Sequence, residues 1–172
     1  MLFQDEASLS NTASVSYKWS EKGRQPKIEQ KQRKRERKTL FGCVEPITGK
    51  VLTSVAERGN TVTFFNFLIS VVRAYPNQKI VMVVDNVRYH HAKRLKPILE
   101  KYSHRLELVY LPAYSPDLNP IERIWWYMRK KISHNRYLET MDKRIEKFKE
   151  LMKTFELENE LGKKLSNLIE NI

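Results

Sequence analysis

Hydrophobic and polar positions change period several times along the chain, and each change marks an element. Residues 1–5 form a short apolar run that ends in a carboxylate and reads as a strand. Residues 39–44 and 50–55 are β-type runs joined by Pro46-Ile47-Thr48-Gly49, the composition of a hairpin turn. The period then lengthens. Phe64, Leu68, Val71, Val72 and Tyr75 recur at helical spacing, which predicts a helix over 63–75 stopped by Pro76-Asn77. Residues 80–84 are an unbroken apolar run, rich in β-branched side chains, as expected of a strand covered on both faces. Residues 91–102 read as a helix in which Pro97 predicts a kink. Residues 106–111 form a further strand, 112–120 a proline-rich loop and 121–132 a helix.

This order predicts an α/β fold, with a mixed five-stranded sheet flanked by helices. Three antiparallel strands come first, then parallel ones linked by helices, as in RNase H-like folds. From residue 139 onward the pattern is helical. Met141, Ile145, Phe148, Met152 and Phe155 share one face, and Leu157, Leu161, Leu165 and Leu168 extend it. Glu156, Glu158, Asn159 and Glu160 interrupt that stripe, and Gly162 weakens it. We therefore expect a helical C-terminal extension outside the core, its first half packed in cis and its second half looser or against another subunit.

Composition narrows the partner. The 172 residues suit one domain, and 41% hydrophobic content is ordinary. A net charge of +12 is not ordinary, and favours a polyanion through counterion release. Ribosomal and membrane-surface proteins share that trait, so charge gives only a class. Its densest run, residues 22–38, includes Arg33, Lys34, Arg35, Arg37 and Lys38; it cannot bury a face and reads as a loop or frayed hairpin. Arg129, Lys130 and Lys131 follow the helix that begins at 121. A solvated surface is the ordinary reading of such runs; beside a nuclease-type site, phosphate contact becomes the better one.

Cys43 is the single cysteine, so an internal disulfide is impossible, and with the four histidines it lacks the paired spacing of a zinc site. No P-loop is present, and no apolar run is long enough to span a bilayer. A single cysteine suits a reducing compartment such as the cytoplasm.

Three acids stand where such a sheet would bring them together. Asp5 ends the first strand, Asp85 ends the strand 80–84, and Glu122 lies on the first turn of the helix at 121. Ligands in α/β sheets gather outside the carboxyl ends of strands. Each acid also has an ordinary reading: Asp5 as a turn residue, Asp85-Asn86 as a loop initiator, and Glu122 as the third residue of a capping box with Asn119 as N-cap.

Residues 84–90 (VDNVRYH) and 111–122 (LPAYSPDLNPIE) resemble the second and third acidic motifs of mariner-type DDE transposases, in particular their bacterial insertion-sequence relatives. Phe3-Gln4-Asp5-Glu6 resembles the first motif, and Trp19, Gly23 and Pro26 resemble the stretch that follows it. The 36 residues between Asp85 and Glu122 are similar to the spacing in that superfamily.

The resemblance implies an RNase H-like catalytic domain over 1–137, with 138–172 as its extension. It implies that Asp5, Asp85 and Glu122 hold two Mg²⁺ or Mn²⁺ ions for DNA cleavage and strand transfer. Asn86, His90 and Asn119 would support them, and Glu6 would be a supporting or surface charge. The partners implied are transposon-end and target DNA, in a homodimer or with a separate DNA-binding half. Helix-turn-helix domains precede this region in the family and are expected to be absent here. Alternatives are a ribonuclease H or junction resolvase, which the YSPDLNPIE string disfavours, and a non-catalytic remnant that binds DNA or oligomerises.

Overall fold

In a computed structural model, which describes residues 1–12, 17, 19–24, 27, 35–112, 115–135, 138, 140–157 and 159–166, the first strand outruns its apolar start. Strand β1 spans Leu2–Ser10. The expectation that Asp5 ends it is corrected. Ala7 and Leu9 are buried while Ser8 is exposed, and this alternation carries the strand onward. Strand β2 (Arg37–Val44) pairs with it antiparallel from Phe3↔Val44 to Ser10↔Arg37. The base of the connection is closed by Glu36 N donating to Asn11 Oδ1 at 3.0 Å. Most of the 22–38 basic run lies outside the described residues.

Strand β3 (Val51–Ala56) returns through the expected turn, where Gly49 takes a φ of +74°. Helix α1 (Thr61–Ala74) starts from an Asn60–Thr63 capping box and buries Phe64, Phe67, Leu68, Val71 and Val72. Strands β4 (Ile80–Val84) and β5 (Leu106–Tyr110) are parallel to each other, and β4 is parallel to β1. The order β3-β2-β1-β4-β5 gives the anticipated mixed five-stranded sheet.

The helix expected over 91–102 is shorter. Two 3₁₀ turns, Arg88–His91 and Lys93–Leu95, precede helix α2 (Lys96–Lys101). Pro97 then falls in the first turn, where no N–H is needed, and no kink arises. Helix α3 (Ile121–Met128) continues into a π-helical turn, Arg129–Ser133.

Each sheet face carries its own core. Phe41, Cys43, Met82 and Val84 meet α1, and burial raises the Cys43 thiol to about 12, so it is an inert core residue. On the other face Ala7, Leu9, Leu40, Val44 and Val51 meet Ile121, Ile124, Trp125 and Met128. Trp125 lies so close over Gly42 of β2 that an added Cβ would stand 2.6 Å from its ring.

The C-terminal helices belong to this second core, which corrects their expected place outside it. Helix α4 (Met141–Leu157) buries Met141, Phe148, Met152 and Phe155 there. Helix α5 (Asn159–Ser166) adds Leu161 and Leu165 against the same cluster, so the second half is not the loose element expected. Leu168 lies outside the described residues. Arg144 is fully buried on α4, donating to Ile132 O at 3.2 Å and Asn11 O at 3.5 Å.

Gly162 is what lets α5 approach. A Cβ there would lie 1.9 Å from the Gly49 carbonyl oxygen, a backbone atom that cannot swing aside. On helix propensity alone Gly162→Ala would gain about 1 kcal/mol. Overpacking costs about 1–3 kcal/mol and should win. A melting point below wild type is the expected result, and a higher one would show that α5 does not sit against the hairpin. Among the described residues no helix is long and apolar enough to cross a membrane.

Candidate active site

Parallel pairing of β4 with β1 covers only Leu2↔Met82 and Phe3↔Val83, so β4 leaves the sheet beside the middle of β1. Asp85, the first residue beyond β4, is thereby brought level with Asp5 and Glu6. Side chains alternate along β1. Leu2 belongs to the α1-side core and Ala7 and Leu9 to the α3 side, which puts Asp5 toward α3 and Glu6 toward α1.

The start of α3 is tied to the same place. Asn119 is buried and donates from Nδ2 to the Gln4 carbonyl at 2.9 Å, across 115 residues of sequence. This corrects the capping-box reading: Pro120 occupies the N-cap position, and no side chain caps the helix. Asn119 fastens α3 to β1 instead, which sets Glu122 over Asp5.

The electrostatics report the convergence. Burial, then the charge of Glu122, and to a lesser degree those of Glu6 and Asp85, raise the Asp5 carboxyl from 3.8 to about 8. A backbone hydrogen bond at Glu6 only partly opposes this. Neighbouring carboxylates favour a proton or a cation among them. The donor set, all oxygen, suits hard divalent ions.

Asp85 behaves in the opposite way, because it has a partner. His90 is buried beneath it, with Nδ1 3.0 Å from Asp85 Oδ1 and Nε2 3.1 Å from Glu6 Oε1. Val87 N also donates to Asp85 Oδ1, at 3.1 Å, so the rotation of the carboxylate is fixed. The hydrogen bond to His90 holds Asp85 below the usual carboxylate range, outweighing desolvation. For His90, burial works against charge, but the hydrogen bonds to Asp85 and Glu6 prevail and lift its pKa to about 9.

Glu6, expected to be a supporting or surface charge, is thus a support. It accepts from His90 and, at 3.0 Å, from the buried Gln4 Nε2. Nothing in the sequence joins Glu6 to His90, 84 residues away. The parity of Glu6 on its strand was the one available signal. Asn86 donates to the Leu111 carbonyl and ties the ends of β4 and β5 together. Among the described residues, the three side chains whose ligand atoms all lie within 4.8 Å of one another are Glu6, Asp85 and His90, not the expected Asp5, Asp85 and Glu122.

The basic residues divide. Arg129 Nη2 lies 3.8 Å from Glu122 Oε2, beside that acid, and Lys130 stands over the Trp126 ring on the same helix. Arg35 and Arg37 are exposed, whereas Lys38 is paired with Glu57. Five residues of β1 separate Asp5 from Ser10, the partner of Arg37, or about 17 Å at strand rise. Arg33 and Lys34 lie outside the described residues.

A pH dependence follows. Between about 4 and 8 folded Asp5 keeps a proton that the unfolded chain releases, so its contribution to stability declines as pH rises through that window. His90 adds a decline between 6.5 and about 9. The metal-free melting point should fall from pH 5 to pH 8, and Asp5→Asn should flatten that fall. An identical slope in the variant would mean that Asp5 does not titrate there.

The comparisons concern the whole chain. The insertion element IS630 uncharacterized 39 kDa protein of Shigella sonnei is 24% identical over 155 residues, 90% of this chain and 45% of that protein. The chain thus spans under half the length of that relative. The pre-cleavage Mos1 transpososome matches with a TM-score of 0.74 at 15% identity, over 96% of this chain and 51% of that one. The mariner Mos1 paired-end complex with Mg matches at 0.70 and 19%, over 96% and 50%. These likenesses establish an RNase H-like fold. The family model for DDE superfamily endonucleases matches residues 1–144, most of the chain: the chain belongs to the DDE superfamily endonucleases.

Proposed function

We infer that this chain is the catalytic domain of an insertion-sequence transposase, which cuts DNA at transposon ends and joins the freed strand to target DNA. The observation that carries the reading is that β4 ends beside Asp5 on β1 while Asn119 fastens the start of α3 to Gln4, so that acids of three elements become neighbours. Burial and the charge of Glu122 raise the Asp5 carboxyl accordingly. Asp5, Asp85 and Glu122 would hold two Mg²⁺ or Mn²⁺ ions, which when bound supply Lewis-acid activation of water and neutralise charge on the leaving oxygen.

The other residues prepare that arrangement. His90, held by Glu6, fixes the orientation of Asp85; Asn119 sets the height of Glu122; Asn86 braces the strand ends. Arg129, 3.8 Å from Glu122, and Lys130 would contact phosphates flanking the scissile bond, and contacts of this kind position DNA without reading sequence. Arg35, Arg37 and Lys38 would extend the phosphate contacts, with Lys38 leaving Glu57 to join them, and the same role is proposed for Arg33 and Lys34 on their charge alone.

In this reading residues 1–137 form the catalytic unit, and helices α4 and α5 of the 138–172 extension complete its second core. It works at the nucleoid in the cytoplasm of a prokaryote, as a homodimer or with a polypeptide that recognises the transposon ends. The experiment is nicking of supercoiled plasmid. Nicked circles with Mg²⁺ or Mn²⁺ and none with EDTA support the reading. DNA binding without nicking under any metal would leave a binding remnant in its place.

A further inference from the structure

One aromatic residue beside the site is left without a structural task. Of the adjacent tryptophans of α3, Trp125 is fully buried over Gly42, whereas Trp126 is 51% exposed. Trp126 follows Glu122 by four residues, and Arg129 by seven, so all three lie along one stripe of the helix. Lys130 Nζ stands 4.9 Å from the Trp126 ring centroid, while Arg129 reaches back to Glu122. The π-helical turn that carries these two cations is a rare conformation, and such turns are frequent at functional sites.

Charge decides what kind of partner fits. Over residues 121–133 Glu122 is the one acid, against Arg123, Arg129, Lys130 and Lys131. A half-exposed indole with cations along its helix suits a nucleic acid better than an apolar protein surface. Within a duplex the bases are already stacked on each other. An aromatic ring gains contact only with a base whose face is free.

We propose that Trp126 is a stacking platform for an unpaired nucleobase next to the scissile phosphate, with Lys130 on the adjoining phosphate. The proposal rests on the transposase reading and adds a preference to it: the site favours a frayed or overhanging DNA end over a blunt duplex. Stacking on an aromatic is sequence-tolerant, so this preference concerns the state of the end and not its sequence.

The test measures equilibrium binding by the full chain, in EDTA, to two labelled oligonucleotide duplexes. One is blunt, and the other carries a four-nucleotide single-stranded overhang. Wild type is expected to bind the overhang more tightly. Trp126→Ala should weaken overhang binding by about 5- to 150-fold, with blunt-duplex affinity and the salt slope unchanged. Trp126→Phe should restore most of the loss.

Equal binding of both probes by wild type, or an equal loss on both in Trp126→Ala, overturns the proposal. So does unaltered DNA binding accompanied by a changed oligomeric state, which would make Trp126 part of a protein interface. If wild type binds neither duplex, the DNA-cutting reading falls as well. If it binds both and Trp126→Ala matches it, only the stacking proposal falls.

Discussion

Asp85→Asn is expected to remove metal-dependent nicking, lowering the rate by at least about 10²–10³-fold, the range for deleting one preorganised electrostatic partner. The amide keeps the shape and loses the charge. Its effect on the metal-free fold should differ from that of Asp5→Asn, although both remove an acid from one cluster. Asp85 is ion-paired to His90 and hydrogen-bonded by Val87, so the amide leaves the buried imidazolium without that compensating charge. The metal-free melting point should therefore fall, by on the order of 1 kcal/mol in stability, since solvent screens the half-exposed carboxylate. Asp5 is opposed by Glu122 and Asp85, so Asp5→Asn should raise the melting point while also removing nicking. Differential scanning of the two variants at pH 8 in EDTA checks the contrast. Equal shifts in one direction would mean that His90 does not hold Asp85.

Truncation after Asn135 is expected to leave a chain that does not fold. The cut removes Met141, Phe148, Met152 and Phe155, each buried, at about 2 kcal/mol apiece or on the order of 8 kcal/mol in all. Domain stabilities run at about 5–15 kcal/mol, so little would be left. The loss also uncovers Leu9, Leu40, Val44 and Val51 on the sheet. It takes Arg144 from the Ile132 and Asn11 carbonyls, which join α3 to the end of β1. A cut after Phe155 keeps α4 and should give a folded protein with a lower melting point, because α5 packs on α3 and the Gly49 turn. A cooperative, wild-type-like melt from residues 1–135 would show that the sheet does not need α4.

What the sequence made legible was local. The runs 80–84 and 106–111, the turn at Gly49 and the helical spacing from Phe64 to Tyr75 each announce their element within a few residues. The order of those elements then suffices for the sheet, because short connections and right-handed crossovers leave few arrangements. The placement of Asp85 and Glu122 was legible for a related reason, since a strand end and a helix start are read locally too; Asp5, read as a strand end, lies within β1.

Contacts between distant residues were not legible. Asn119 looked like a cap because its neighbours suit one, yet its partner is the Gln4 carbonyl. Gly162 looked like a weak point in a helix, although the close approach of Gly49 requires it. Glu6 joined the site only through His90, which itself depends on how the 3₁₀ turn at Arg88–His91 folds beneath Asp85. The length of β1 was present in the alternation of Ala7, Ser8 and Leu9, where small and polar residues make a faint strand signal.

The central claim is that Asp5, Asp85 and Glu122 share a divalent cation, and the most direct measurement is the melting point at pH 8 with and without Mn²⁺. Saturation to a hundred times the dissociation constant stabilises a single-site protein by about 2.7 kcal/mol. For a chain of this size that is a rise of roughly 5–11 °C. The account predicts such a rise in wild type and its loss in Asp5→Asn, Asp85→Asn and Glu122→Gln, each measured against its own metal-free melt. A rise that survives in any two of the three variants would place the cation elsewhere and contradict the site.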